Sequence, residues 1–358
     1  MENQIKIHGR GAQISLPNKF HSQYKEKYLE DLATESERKD FALQNPKTQI
    51  VEIFPKSIVN KVESPDLPME WSLNPYQGCE HGCIYCYARN SHEYWDLGVG
   101  LEFESKILVK KSAPDLLRKT FEKPSWKAQT IVMAGNTDIY QPIERKLQIT
   151  RKLLQVFLDY HHPVGLITKN ALILRDLDIL KELASLNLVH VNLSLNTLDE
   201  HLKRVMEPRT SSVHSVLKAI SVLAENKIPV SVMAAPIVPG LNDSDIFPLV
   251  ETVVSHGARS VNYEVVRLNG QNGILFEDWI RKTFPDRADK VLNKIKSVHG
   301  GKLNDSRFGT RMSGEGEWAK IIKQQFEIAK SKYVKDQKYT PLNCDLFDKK
   351  RQRQFSLF

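Results

Sequence analysis

Three of the four cysteines in this 358-residue chain fall within eight positions. Cys79, Cys83 and Cys86 are spaced C-x3-C-x2-C inside Asn74-Pro75-Tyr76-Gln77-Gly78-Cys79-Glu80-His81-Gly82-Cys83-Ile84-Tyr85-Cys86-Tyr87. A lone cysteine is usually a small buried hydrophobe, but three in one loop are hard to place in a core. Thiolates this close repel one another, so the spacing asks for a metal centre that absorbs their charge. Gly78 and Gly82 free the backbone to wrap an inorganic core. Three thiolates suit a 4Fe–4S cluster with one iron left open. Zinc is the alternative and wants a fourth protein ligand, for which His81, His92 and Cys344 are the candidates.

The elements that must carry this loop show in the hydrophobic pattern. From about Glu70, short apolar runs alternate with segments of helical periodicity. The expected strands are Trp71-Ser72-Leu73, Thr130-Ile131-Val132-Met133-Ala134, Val164-Gly165-Leu166-Ile167-Thr168-Lys169, and runs at 189–195, 229–235 and 260–266. The expected helices lie at 112–121, with Ser112 as cap, and at 143–160, 172–186, 213–225 and 245–255. Six β–α units across 70–270 predict a parallel sheet with right-handed crossovers. Eight units would close a TIM-like barrel; six predict an α/β fold of partial (β/α)6 type. Residues that follow each strand collect on one rim of such a sheet, and the cysteine loop follows the first strand.

Two flanks complete the plan. Residues 1–69 form a charged N-terminal arm, read as a surface wrap because the run from Tyr24 to Asp40 is poor in apolar positions. Within it, residues 48–54 alternate apolar and polar like an edge strand. Residues 271–358 are a helical C-terminal extension, with helices expected over 286–298 and 315–333 and a basic tail. The chain is 41% hydrophobic and 26% charged, ordinary for a soluble globular protein. It shows no apolar run at Met1-Glu2-Asn3-Gln4-Ile5-Lys6 and none of membrane-spanning length, so a cytoplasmic protein without a membrane partner is expected. A net charge of +8 permits a polyanionic partner such as DNA without requiring one.

The cysteine spacing resembles that of the radical S-adenosylmethionine superfamily. The flanking Asn74-Pro75-Tyr76-Gln77-Gly78 and Tyr85-Cys86-Tyr87 are similar to the spore photoproduct lyase-like branch, and Gly9-Arg10-Gly11-Ala12 to an uncharacterised bacterial group within it. The resemblance covers roughly residues 70–270. It implies that Cys79, Cys83 and Cys86 hold a 4Fe–4S cluster whose open iron binds S-adenosyl-L-methionine. It also implies a 5′-deoxyadenosyl radical as reagent and a reducing donor such as flavodoxin or ferredoxin. Lys169 and Ser194 match cofactor-binding positions of the family, and Gly135, Asn136 and Thr137 stand at its glycine-rich motif. Tyr85 and Tyr87 match tyrosines beside the third cysteine, one of which the family uses in radical transfer. Pro236-Ile237-Val238-Pro239-Gly240-Leu241-Asn242-Asp243 resembles the motif that flanks adenine. Glu264 and Arg209 read as site residues or, with more weight, as structural ion-pair partners. One place departs: the lyase's hydrogen-donating cysteine is replaced in Gly135-Asn136-Thr137-Asp138, and the spare thiol is the distant Cys344.

The terminal Gln354-Phe355-Ser356-Leu357-Phe358 resembles the Gln-Leu-Ser-Leu-Phe peptide with which bacterial proteins dock on the DNA sliding clamp. The opposing reading is a tail that packs its aromatics on its own surface. From Ser331 onward seven basic residues face three acidic ones, which favours DNA or simply keeps the tail solvated. The lyase-like branch makes a DNA lesion the favoured substrate. The alternatives are a radical enzyme for a nucleoside, peptide or small molecule, and a non-catalytic metal protein that binds nucleic acid.

Overall fold

Runs such as Val164–Thr168, apolar on both faces, are suited to the middle of a parallel sheet covered by helices on its outer side. In the computed structural model, which describes residues 7, 9–16, 18, 47–67, 69–334 and 340–349, they occupy that place. The strands are Gln49–Glu52 (β1), Val59–Lys61 (β2), Trp71–Leu73 (β3), Tyr76–Gln77 (β4), Lys106–Val109 (β5), Ile131–Met133 (β6), Val164–Thr168 (β7), Val189–Ser194 (β8), Val230–Ile237 (β9) and Val261–Val265 (β10). Strands β3 and β6 to β10 lie side by side in chain order and pair in parallel, with β2 antiparallel on the outer side of β3. The six expected parallel strands are therefore present. The sheet is open: β2 and β10 are its two edges, as a partial barrel requires.

A smaller sheet, ordered β1-β5-β4, brackets the cysteine loop. The strand expected at 48–54 exists as β1, but it pairs with β5 rather than with the main sheet. The seam between β2 and β10 is bridged from the C-terminal side. Arg311 reaches Asp66 (Nε to Oδ2, 2.5 Å) and Ser64 (2.6 Å), Gly309 N–H donates to Asp66 Oδ1 (2.8 Å), and Val265 N–H donates to the Met312 carbonyl (2.9 Å).

The helices follow their caps. At Val213–Glu225, Ser212 Oγ accepts from Ser215 N–H, and Val213, Val216, Ala219, Ile220 and Leu223 form the buried stripe. The helix expected over 143–160 is instead two, Glu144–Leu147 and Ile149–Asp159, parted by Gln148 at φ 51°. The cause is Glu144, whose buried carboxylate accepts from the N–H groups of Ile149 (3.0 Å) and Thr150 (3.1 Å) and so starts a new helix. The helix expected over 172–186 begins as a 3-10 turn, Ala171–Asp176, with Asn170 capping Leu172, and continues as Leu177–Ser185. Ser112 occupies the cap position of Ala113–Phe121 but its side chain makes no capping bond; Pro114 in the first turn marks that start. Helices Glu200–Met206 and Asn272–Thr283 were not among those expected, although Leu275, Phe276, Trp279 and Ile280 share one face of the second. Among the described residues no helix is long and apolar enough to cross a membrane.

At the N-terminal ends of the strands lies an aromatic cluster. His162 stacks on Phe121 (centroids 4.2 Å apart, 11° between planes), with Trp126, Phe157 and Phe347 around the pair. Trp126 Nε1–H donates to His162 Nε2 (3.2 Å), and the other ring nitrogen faces the Pro163 carbonyl (3.0 Å). That arrangement is a neutral imidazole, and burial pushes its pKa down to about 3.

Candidate cluster and cofactor site

The cysteine loop leaves β4 at the C-terminal rim of the main sheet. Gly78 and Gly82 hold φ +80° and +68°, and a Cβ on Gly78 would meet His92, Lys106 and Phe103 within about 3 Å. Cys79 and Cys83 are buried and Cys86 is half-buried. The loop is tied from several sides. Cys79 N–H donates to the Phe103 carbonyl (2.9 Å) and Ile84 N–H to the Met206 carbonyl (3.0 Å), while the His81 carbonyl accepts from Arg209 N–H (3.2 Å). Arg89, wholly buried, donates twice to the Cys83 carbonyl (3.0 and 2.9 Å), to the carbonyls of Val99 and Gly100, and to Glu104 (2.5 Å).

Behind the loop sits a buried charge network. The Glu207 carboxylate faces Lys203 (2.5 Å), Lys169 (3.3 Å) and the Tyr85 hydroxyl, which donates to it. Burial alone would raise the Glu207 pKa, but the two ammonium groups more than offset it and hold the carboxylate ionised. Lys169 is likewise held charged: burial works against its ammonium, and Glu207 together with Cys83 and Asp138 outweighs burial. Its Nζ lies 5.6 Å from the centre of the Tyr85 ring. Two buried lysines on one carboxylate leave about one positive charge close to the cysteines.

This environment fits the donor chemistry of the cluster. Burial and the nearby Glu207 push the Cys83 thiol up, and burial and Cys79 push Cys86 up to about 11. Without a metal the Cys83 and Cys86 thiols are held protonated; iron would take the place of the protons and relieve the repulsion. His81 sits beside Cys79 and Asp138 (Nδ1 to Oδ2, 3.3 Å), with Nε2 at the Asn170 amide (3.1 Å), and His92 Nε2 faces the Lys106 carbonyl. Cys344 lies by the opposite rim, where Asn343 N–H donates to the Asn187 carbonyl. No three His, Cys, Asp or Glu among the described residues gather as around one ion.

The strand ends beside the loop fit the second cofactor. Ser194 closes β8, and two residues on, Asn196 is fully buried with neither side-chain polar atom partnered among the described residues. A buried amide left with one free donor pair and one free acceptor asks for a polar ligand. Asn242 fixes that place: its Nδ2 donates to the carbonyls of Asn196 (2.7 Å) and Pro236 (3.0 Å), and its Oδ1 accepts from Val238 N–H (2.7 Å). The Pro236 to Asp243 motif thus joins the ends of β8 and β9.

The glycine-rich turn after β6 divides its work. Gly135, at φ +117°, has open space where a Cβ would point, and its carbonyl accepts from the Tyr87 hydroxyl. Asn136 is exposed, with its N–H on Asn74 Oδ1 (3.0 Å). Thr137 is turned to the cluster loop, donating to the Gly78 carbonyl (2.7 Å). Asp138 accepts from Thr168 and from Lys169 N–H (both 2.7 Å), which anchors the end of β7. Of the two tyrosines, Tyr85 is buried in the charge network and Tyr87 is 43% exposed, with the Arg267 guanidinium 5.5 Å from its ring. Arg209 is a structural partner, 3.3 Å from Glu80. Glu264 is half-buried on the same rim, where burial raises its pKa against Arg267, Lys169 and Arg311. Glu207 and Lys203 were not singled out in the sequence; their i,i+4 spacing beside Arg209 was the signal on offer. Gln354-Phe355-Ser356-Leu357-Phe358 and the 24–40 run lie outside the described residues.

The fold and site together define the class. The chain belongs to the radical SAM superfamily, whose sequence profile matches residues 73–253, and whose members use a 4Fe–4S cluster and S-adenosylmethionine. It is 32% identical over 242 residues to an uncharacterised protein of Mycobacterium bovis, covering 67% of this chain and 71% of that one. It is 29% identical to an uncharacterised protein of Methanocaldococcus jannaschii, covering 70% and 89%. Its fold is similar to that of spore photoproduct lyase complexed with dinucleoside spore photoproduct, with a TM-score of 0.61, 18% identity and 82% of each chain covered.

Proposed function

We propose that this chain is a radical S-adenosylmethionine enzyme acting on a nucleic-acid substrate, with damaged DNA as the leading class. The observation that carries the reading is the juxtaposition on one rim of the three-cysteine loop, Lys169, Ser194 and the unpartnered Asn196 with the exposed Tyr87 and the half-buried Arg267 beside it. When bound and reduced, the cluster and S-adenosylmethionine supply a 5′-deoxyadenosyl radical that takes a hydrogen atom from the substrate. Cys79, Cys83 and Cys86 hold the cluster. Ser194 and Asn196 offer hydroxyl and amide to the polar groups of the cofactor, and Lys169 offers a charge held in place by Glu207. Tyr87 and Arg267 present a ring and a planar cation, the pair that stacks on a base and meets a phosphate. The net charge of +8 supports a polyanion, and a solved relative in fold binds a dinucleoside photoproduct. Asn136, exposed where the lyase branch carries its thiol, supports a different route of hydrogen return from that lyase.

The test is anaerobic. The reconstituted protein should carry about four irons. With dithionite and S-adenosylmethionine it should release 5′-deoxyadenosine, faster when ultraviolet-irradiated DNA is added. Release stimulated by peptides or small metabolites but never by intact or irradiated DNA would overturn the nucleic-acid reading. Four irons without any 5′-deoxyadenosine would overturn the enzyme reading.

A further inference from the structure

The N-terminal arm was expected to wrap the surface, yet residues 10–12 are among the buried ones. Gly11 N–H and Ala12 N–H donate to the two oxygens of the Glu104 carboxylate (3.1 and 2.8 Å), and Arg10 donates to the Glu104 carbonyl (2.5 Å). The same carboxylate receives Arg89, which grips the Cys83 carbonyl. The chain of contact therefore runs from the arm through Glu104 and Arg89 to the middle cysteine. The approach is close as well as polar. A Cβ on Gly11 would stand 1.8 Å from the Gly82 carbonyl oxygen, and one on Gly100 would stand 2.4 Å from the Ile14 carbonyl oxygen. Ala12 packs in one apolar group with Cys83, Ile84 and Tyr85, and Ile14 and Leu16 lean on it. Residues 9–16 lie before the stretch that the family profile covers, which begins at residue 73.

We propose that residues 9–16 are a strap that positions the cysteine loop for its cluster, with Gly11 as the positioning residue. The inference rests on the cluster reading above and goes beyond it. The backbone of the strap replaces the water that would otherwise reach the inner side of the loop. It also completes the bonding of Glu104, so that Arg89 stays aimed at Cys83. A side chain at position 11 must push the strap off the Gly82 carbonyl, releasing both N–H bonds to Glu104, while Cys79, Cys83 and Cys86 themselves are unaltered.

The experiment compares wild type with Gly11→Val in the full-length chain. Iron and sulfide content after anaerobic reconstitution is measured first, so a failure of the cluster reading is not mistaken for a failure of the strap. Transfer of iron from the loaded protein to a chelator should then run roughly tenfold faster in the variant, the scale of losing bonds to a buried carboxylate. The electron paramagnetic resonance signal of the reduced cluster should also broaden. Equal chelation rates and identical spectra, with the strap shown to be displaced by faster amide exchange, would overturn the proposal. Should the variant not fold, wild type alone decides through reciprocity. Cluster loading should slow amide exchange at Gly11 and Ala12, and exchange there that ignores the cluster while residues 78–89 respond to it overturns the strap.

Discussion

The two rims of the sheet are built from different materials. The C-terminal rim is glycine, buried charge and doubly used carbonyls: Gly78, Gly82 and Gly135, the Lys169–Glu207–Lys203 network, and Arg89 on Cys83. The N-terminal rim is aromatic: His162 between Phe121, Trp126 and Phe347, with its polar atoms satisfied at neutral charge. The first arrangement is costly for a polar group left unpaired and gains its value when cofactors complete it. The second is already complete. Glycines and buried charges are concentrated on one rim and aromatic packing on the other, as the geometry of a parallel sheet allows.

Four measurements can break or sharpen that division. The largest effect is expected from Cys83→Ala, which should lower 5′-deoxyadenosine formation at least ~1000-fold and deplete iron, while the metal-free protein still unfolds cooperatively. Next comes Phe121→Ala, expected to cost about 3–5 kcal/mol in denaturant unfolding, with the cluster signal per folded molecule unchanged. A lost cluster signal there would show that the rims are not separate.

The third concerns pH. Burial holds His162 neutral down to about 3, whereas the unfolded ring takes a proton near 6.5. Its contribution is therefore fully present above pH 6.5 and falls as the pH drops toward 3, by up to ~1.4 kcal/mol per unit. His162→Phe should flatten that part of the stability curve, and an unchanged acid limb would remove His162 from the account. The smallest is Asn196→Ala, which should weaken S-adenosylmethionine binding by roughly tenfold by calorimetry and leave iron content intact. Unaltered affinity would mean that the buried amide serves the fold.

The plan of the sheet was legible because it rests on local pattern. Runs such as Val189–Ser194 and the stripe in Val213–Glu225 declare their period, and three cysteines in one loop have few structural explanations. What was not legible depends on partners distant in the chain. Glu144 splits a continuous amphipathic segment because its carboxylate captures two N–H groups of its own chain, which no period reveals. Glu207 gains its role only when β7 brings Lys169 to it. Gly11 stood out only as part of Gly9-Arg10-Gly11-Ala12, since close approach to the Gly82 carbonyl leaves no mark on composition.

The join between Asp66 and Arg311 has a mechanical meaning. Every other neighbouring pair of strands in the main sheet is held by a ladder of backbone bonds, which open only together. Between β2 and β10, a few side-chain and loop bonds do that work across one turn. The lowest-energy breathing of the molecule should thus be a widening along this line, beside Glu264 and Arg267. Asp66→Asn should quicken amide exchange at residues 307–313 while leaving that of β7 and β8 unaltered. Equal quickening in those central strands would mean that the sheet yields as a whole.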